Sequence, residues 1–103
     1  MSAMTNQAVI PVDADIMDLA EEFLRKRRQA VPRILAIIAA NDMGELRRIG
    51  HELKGTAGSY GFDELSRAGA ALEEAAVTED AERARDTANR IAAFLQQVAL
   101  VAR

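Results

Sequence analysis

The sequence predicts an all-α fold: an antiparallel four-helix bundle preceded by a short leader. Three observations carry this expectation. Apolar residues recur at three- and four-residue steps through four segments. The gaps between the segments are short and hold turn and capping residues. Helix formers dominate and aromatic residues make up only 4% of the chain. With 103 residues, half of them hydrophobic, one core and one domain are expected.

Residues 1–12 carry no helical period and include Pro11, so they read as a flexible or loosely packed leader before a domain over residues 13–103. Asp13 or Asp15 can cap a first helix over about residues 13–41. Its inward stripe is Ile16, Leu19, Ala20, Phe23, Leu24, Val31, Ile34, Leu35 and Ile38. Pro32 removes one amide donor and crowds the carbonyl of Arg28, which predicts a kink or a short break. Asn41-Asp42 reads as a turn and a new cap. A second helix is expected from Met43 to Tyr60, with Leu46, Ile49, Leu53, Ala57 and Tyr60 inward and Gly61 as its C-terminal cap. A third runs from Phe62 to Ala76 with Leu65, Ala68, Leu72 and Ala76 inward. Thr78 is the expected N-cap of a fourth, with Glu79 and Asp80 in its first turn. Its seam is Ala84, Ala88, Ile91, Leu95, Val98 and Ala102. No strand is expected anywhere.

The bulk properties remove several function classes. A net charge of −3 argues against general nucleic-acid binding. The absence of cysteine removes disulfides and thiolate metal sites. No apolar run is long enough to span a membrane. The N-terminus shows no basic region followed by a long apolar stretch, so a cytoplasmic location is the default expectation.

The informative segment runs Arg47-Arg48-Ile49-Gly50-His51-Glu52-Leu53-Lys54-Gly55-Thr56-Ala57-Gly58 and on to Gly61-Phe62. His51 is the chain's only histidine. On a helical wheel it falls about 160° from the apolar centre near Leu53, which predicts a solvent-facing ring. Arg47, Gly55 and Gly58 share that outward face, and Lys54 lies at its edge one turn later. A neutral imidazole is nucleophilic near neutral pH. Once phosphorylated it would carry roughly two negative charges. Lys54 can offset these, and Arg47 or Arg48 can help.

The glycines are a second clue. Gly50, Gly55 and Gly58 together cost the second helix about 3 kcal/mol relative to alanine. A helix selected only for stability would not carry them. Gly55 and Gly58 leave a bare strip beside His51 for a partner, whereas Gly50 lies nearer the core and suits close helix packing. Taken singly, each feature has a bland reading: a surface histidine, a solvated lysine, glycines that loosen and end a helix. The joint pattern changes the odds.

That pattern resembles the signature of histidine-containing phosphotransfer (HPt) domains. His-x-x-Lys-Gly stands here as His51-Glu52-Leu53-Lys54-Gly55, followed by Gly61-Phe62. Asn41, Asp42 and Leu46 precede it, and a run from Leu65 to Leu72-Glu73 follows. The resemblance covers about residues 16–100. It implies a four-helix bundle with the phosphorylated histidine exposed on the second bundle helix. It implies partners of receiver-domain type, which supply the aspartate and the magnesium ion. It also implies a phosphotransfer intermediate with no kinase activity of its own; the chain has no glycine-rich nucleotide motif. No cofactor or metal of its own, no nucleic-acid or membrane partner and a monomeric state are expected. On this reading His51 is the phospho-acceptor, Lys54 stabilises phosphoryl charge, and Arg47, Arg48, Gly55 and Gly58 form the docking face.

Other constellations carry less. Arg25-Lys26-Arg27-Arg28 spreads around the wheel, so solvated and snorkelling side chains are the expectation. A bundle-core di-metal site would need Glu-x-x-His pairs, and Arg48 stands three before the lone histidine. A Ser-His-Asp hydrolase would need an organised oxyanion site, which nothing here suggests. Two alternatives to a phosphorelay intermediate remain open: a non-catalytic helical adaptor with an incidental histidine, and a small helical enzyme. The largely apolar inward stripes speak against the second.

Overall fold

The computed structural model describes residues 9–103. Four helices form the body: α1 (Met17–Ala39), α2 (Met43–Ser59), α3 (Asp63–Val77) and α4 (Ala81–Gln97). A single 3-10 turn, Ala14–Ile16, leads into α1, so the first helix starts later than its sequence pattern suggests. The helices fold back on one another as an antiparallel bundle. The closest packing is between α2 and α3, and α4 lies against both α3 and α1.

The three connections, residues 40–42, 60–62 and 78–80, share one backbone solution. Their middle residues, Asn41, Gly61 and Glu79, all have left-handed φ values of 57°, 81° and 55°. The following amide donates back to the helix just ended: Asp42 to the Ile37 carbonyl, Phe62 to that of Ala57, Asp80 to that of Ala75. This six-residue closure satisfies carbonyls that a helix end leaves orphaned. Asp42 and Asp80 then cap the next helix, their side chains accepting from the amides of Glu45 and Arg83. The N-cap of α4 is therefore Asp80, not Thr78. Thr78 ends α3, and its hydroxyl donates to the Glu74 carbonyl.

Ala20, Phe23, Leu24, Ile34 and Ile38 of α1 are buried with Leu46, Leu53 and Ala57 of α2, Leu65, Leu72, Ala75 and Ala76 of α3, and Ala84, Ala88, Ile91, Phe94 and Leu95 of α4. Phe23, Tyr60 and Phe62 stack with centroids 5.1–6.0 Å apart, closing one end of this core. Two expected core residues face outward: Leu19 is 60% exposed and Leu35 also reaches solvent. Both lie at the margin of a stripe whose middle suffices to cover the neighbouring helices. Pro32 causes no break, since α1 runs continuously through it. The arginine run is absorbed locally. Arg25 pairs with Glu22, the Arg27 guanidinium sits 5.3 Å over the Phe23 ring, and Arg28 Nε donates to the Leu95 carbonyl.

Two strands depart from the all-helical expectation. Val9–Val12 (β1) pairs in parallel with Ala99–Ala102 (β2), Val9 opposite Ala99 and Val12 opposite Ala102. The ribbon is extended by the Arg103 amide donating to the Val12 carbonyl and by an Arg103–Asp13 ion pair at 2.9 Å. The fourth helix accordingly ends at Gln97. Val98 turns extended, with ψ of 137°, and Ala102 is exposed instead of continuing the seam. Part of the expected leader is thus structured: Val12 is only 2% exposed. The remainder, residues 1–8, lies outside the described residues.

Candidate functional site

The surface of α2 opposite its buried stripe carries His51. Its side chain is 69% exposed, as the wheel predicts. The ring is nevertheless engaged on one side. Its Nδ1 lies 3.1 Å from Oε2 of Glu73, a residue of α3 that is mostly covered. The other carboxylate oxygen, Oε1, lies 3.3 Å from Lys54 Nζ. One carboxylate therefore bridges the histidine and the lysine one turn after it. Partial burial opposes ionisation of Glu73. Hydrogen bonds from Lys54 and His51, with their charges, outweigh it and hold the carboxyl below its usual range.

The backbone explains how α3 reaches this far. Gly50 and Gly69 face one another where α2 and α3 cross. A Cβ on Gly50 would stand 2.6 Å from the Glu73 amide nitrogen, and one on Gly69 would stand 2.6 Å from that of Lys54. Neither backbone could yield cheaply, so only glycine allows this approach. The contact places the main chains of Lys54 and Glu73 beside the crossing and leaves their side chains to meet at the surface. The assignment of Gly50 to close packing from sequence agrees. The sequence gives no such role to its counterpart Gly69, and Glu73 enters the sequence pattern only as the end of the run from Leu65 to Leu72-Glu73.

The remaining site residues separate into distinct environments. Arg47 is exposed and, with Gly44, Arg48, His51 and Glu73, lines an open depression of about 350 Å³. Arg48 borders it too, but its guanidinium is held by Glu45 at 2.6 Å and Glu52 at 3.2 Å. Arg33 of α1 also reaches Glu45, at 3.1 Å, which ties α1 to α2. The carboxyl of Glu45 is lowered, chiefly by the hydrogen bond from Arg48, and the Arg48 guanidinium is raised in return. Gly55 opens to free space, with nothing within 4 Å of a Cβ placed there. Gly58 does not. A Cβ would come within 3.3 Å of Ser66 Oγ, which donates to the Lys54 carbonyl. Gly58 thus faces α3 in part, and the bare strip beside His51 is made by Gly55.

Chemically, the arrangement offers an exposed imidazole with one nitrogen tied to a carboxylate, two exposed cations nearby and open approach from solvent. No group of acidic or histidine side chains suited to hold a metal ion is present among the described residues. No helix among them is long and apolar enough to cross a membrane.

Residues 16–102 match the family model of the Hpt domain. Searches of curated proteins and of solved structures returned no match.

Proposed function

The chain belongs to the Hpt domain family, and from that premise we propose that it is a phosphorelay intermediate that carries a phosphoryl group on His51 to or from the aspartate of a receiver domain. The observation that supports this reading most is the 69% exposure of a lone histidine on the outer face of α2, beside a helix strip left bare at Gly55.

In the accepting direction a ring nitrogen attacks the phosphorus of the receiver's aspartyl phosphate. The N–P bond forms as the P–O bond to the carboxyl group breaks, and the aspartate leaves as a carboxylate. The reverse step returns the group. Little covalent chemistry is asked of the protein; positioning and charge stabilisation are its share. Arg47 and Lys54 lie where cations can offset the phosphoryl oxygens. Arg48, already paired, serves better to brace the surface. The receiver is expected to bring the magnesium ion, and the HPt domain itself needs no cofactor. Receiver domains of response regulators or hybrid kinases are the partners this reading names, in the cytoplasm.

The test is incubation with a phosphorylated receiver domain, followed by assay for acid-labile label. The wild type should become labelled and His51→Gln should not. The variant should stay folded, since an outward side chain contributes little packing. Undiminished label on His51→Gln would move the acceptor elsewhere and sink the assignment.

A further inference from the structure

Two contacts tie α1 to the α2 side of the bundle. Phe23 stacks on Tyr60 at 5.1 Å, and Arg33 reaches Glu45 at 3.1 Å. Between these ties the helices leave a crevice of about 130 Å³, walled by Ala30 and Ile34 of α1, Ile49 and Leu53 of α2 and Ile91 of α4. Arg27, Arg33 and Arg48 stand around it with one carboxylate, that of Glu52. We propose that this crevice binds a small free carboxylate with a compact apolar body, and that Arg27 holds the carboxylate.

Charge singles out Arg27. Arg48 is held by Glu45 and Glu52, and Arg33 by Glu45. Arg27 takes part in no ion pair among the described residues, and its Nε–H is buried with no acceptor. A charged donor taken from water without a partner is costly, and folded proteins keep few such groups. The Phe23 ring, 5.3 Å from the guanidinium carbon, offers the charge a π-face but no lone pair for an ordinary hydrogen bond. A carboxylate offers two oxygens, and the edge formed by Nε–H and a neighbouring Nη–H is a fork that matches them.

The aliphatic walls set the rest of the ligand. They reward an apolar group and disfavour a fully hydrated anion such as phosphate. A dry cavity of about 150 Å³ lined by similar side chains takes one benzene ring. The crevice therefore suits a single ring or a branched chain of that size. It is separate from the depression at His51, with Arg48 the residue common to both, so the site does not depend on the phosphotransfer reading.

Benzoate is the probe. Titrated to millimolar concentration into the nitrogen-15-labelled whole chain, it should saturably shift the Arg27 side-chain N–H and the amides of Ala30, Ile34, Ile49 and Leu53. Benzamide, which lacks the charge, and acetate, which lacks the ring, should each bind roughly tenfold or more weakly. Arg27→Gln should lose roughly tenfold or more in benzoate affinity, with unchanged helical circular dichroism. Ala30→Leu, which fills the crevice and leaves Arg27 in place, should lose as much, and it decides the matter should Arg27→Gln fail to fold. Absence of saturable shifts overturns the proposal. So does benzamide or acetate binding as well as benzoate, or a benzoate affinity indifferent to the two variants. Shifts centred on Arg47 and His51 overturn it too, because they place the anion on the phosphotransfer face instead.

Discussion

At the scale of single residues, the site depends on one carboxylate shared by two partners. On the proposed function, Lys54→Ala should slow phosphoryl transfer without unfolding the domain, since Lys54 would supply charge and take no part in bond making. Rates equal to wild type would reduce it to an ordinary surface lysine. The same variant frees Glu73 from its larger hydrogen-bond partner, so its carboxyl should titrate higher than in wild type. A pH dependence follows with a definite sign. The carboxyl of Glu73 is lowered in the folded state, so its contacts add stability above the ordinary carboxylate range. That contribution is lost as the pH falls through the lowered value. Thermal melts of wild type and Glu73→Gln should therefore converge on acidification, and a constant gap down to low pH would contradict the assignment. His51 and Lys54 were legible in the sequence because helical periodicity places them. The contact of Glu73 with both was not, although Glu73 ends the run from Leu65 to Leu72-Glu73, because it stands 22 residues from His51 on another helix, and periodicity says nothing of how one helix rotates against the next.

At the scale of helices, glycines that look alike in sequence have opposite structural meanings. Gly55→Ala should raise stability by several tenths to about 1 kcal/mol, since the new methyl meets nothing. Gly69→Ala should lower it by about 1–3 kcal/mol, because a Cβ 2.6 Å from the Lys54 nitrogen forces α2 and α3 apart. Chemical denaturation of the pair checks both signs at once. The larger Gly55→Gln should keep most of the helix gain while blocking the receiver. A higher melting temperature with normal transfer would show that the partner does not approach there. Gly58→Ala, expected from the wheel to behave like Gly55→Ala, depends instead on whether Ser66 can give way. The wheel places Gly58 outward, and Gly58 is exposed, but a wheel ranks directions around one helix only and does not show that Ser66 of α3 stands 3.3 Å from a Cβ placed there. The turns show the reverse lesson. Asn41 and Gly61 announce left-handed backbone, but Glu79 adopts φ of 55° with no such signal. Glu79→Gly should stabilise the domain by about 1 kcal/mol, visible as a higher denaturation midpoint.

For the whole molecule, the bundle was readable because burial repeats along each helix and three short connections leave few ways to fold. The ribbon was not. Four residues are too few to display an alternation, and the Ala-Leu-Val-Ala of β2 fits a helical seam equally well. What decides its conformation is a partner almost the full chain away. Val12 shows how firmly that partner is held, and Val12→Ala should cost about 2 kcal/mol in denaturation experiments through lost burial and the cavity left behind. A leader merely lying on the surface would lose almost nothing. The parallel sense of the ribbon has a mechanical side. Chain entering β1 at Val9 and chain leaving β2 at Ala102 depart from opposite ends of the pair. Tension applied through the two chain ends therefore runs along the strands in opposite directions. The ladder is loaded in shear, its hydrogen bonds sharing the force, where an antiparallel pair pulled from one end would unzip one bond at a time.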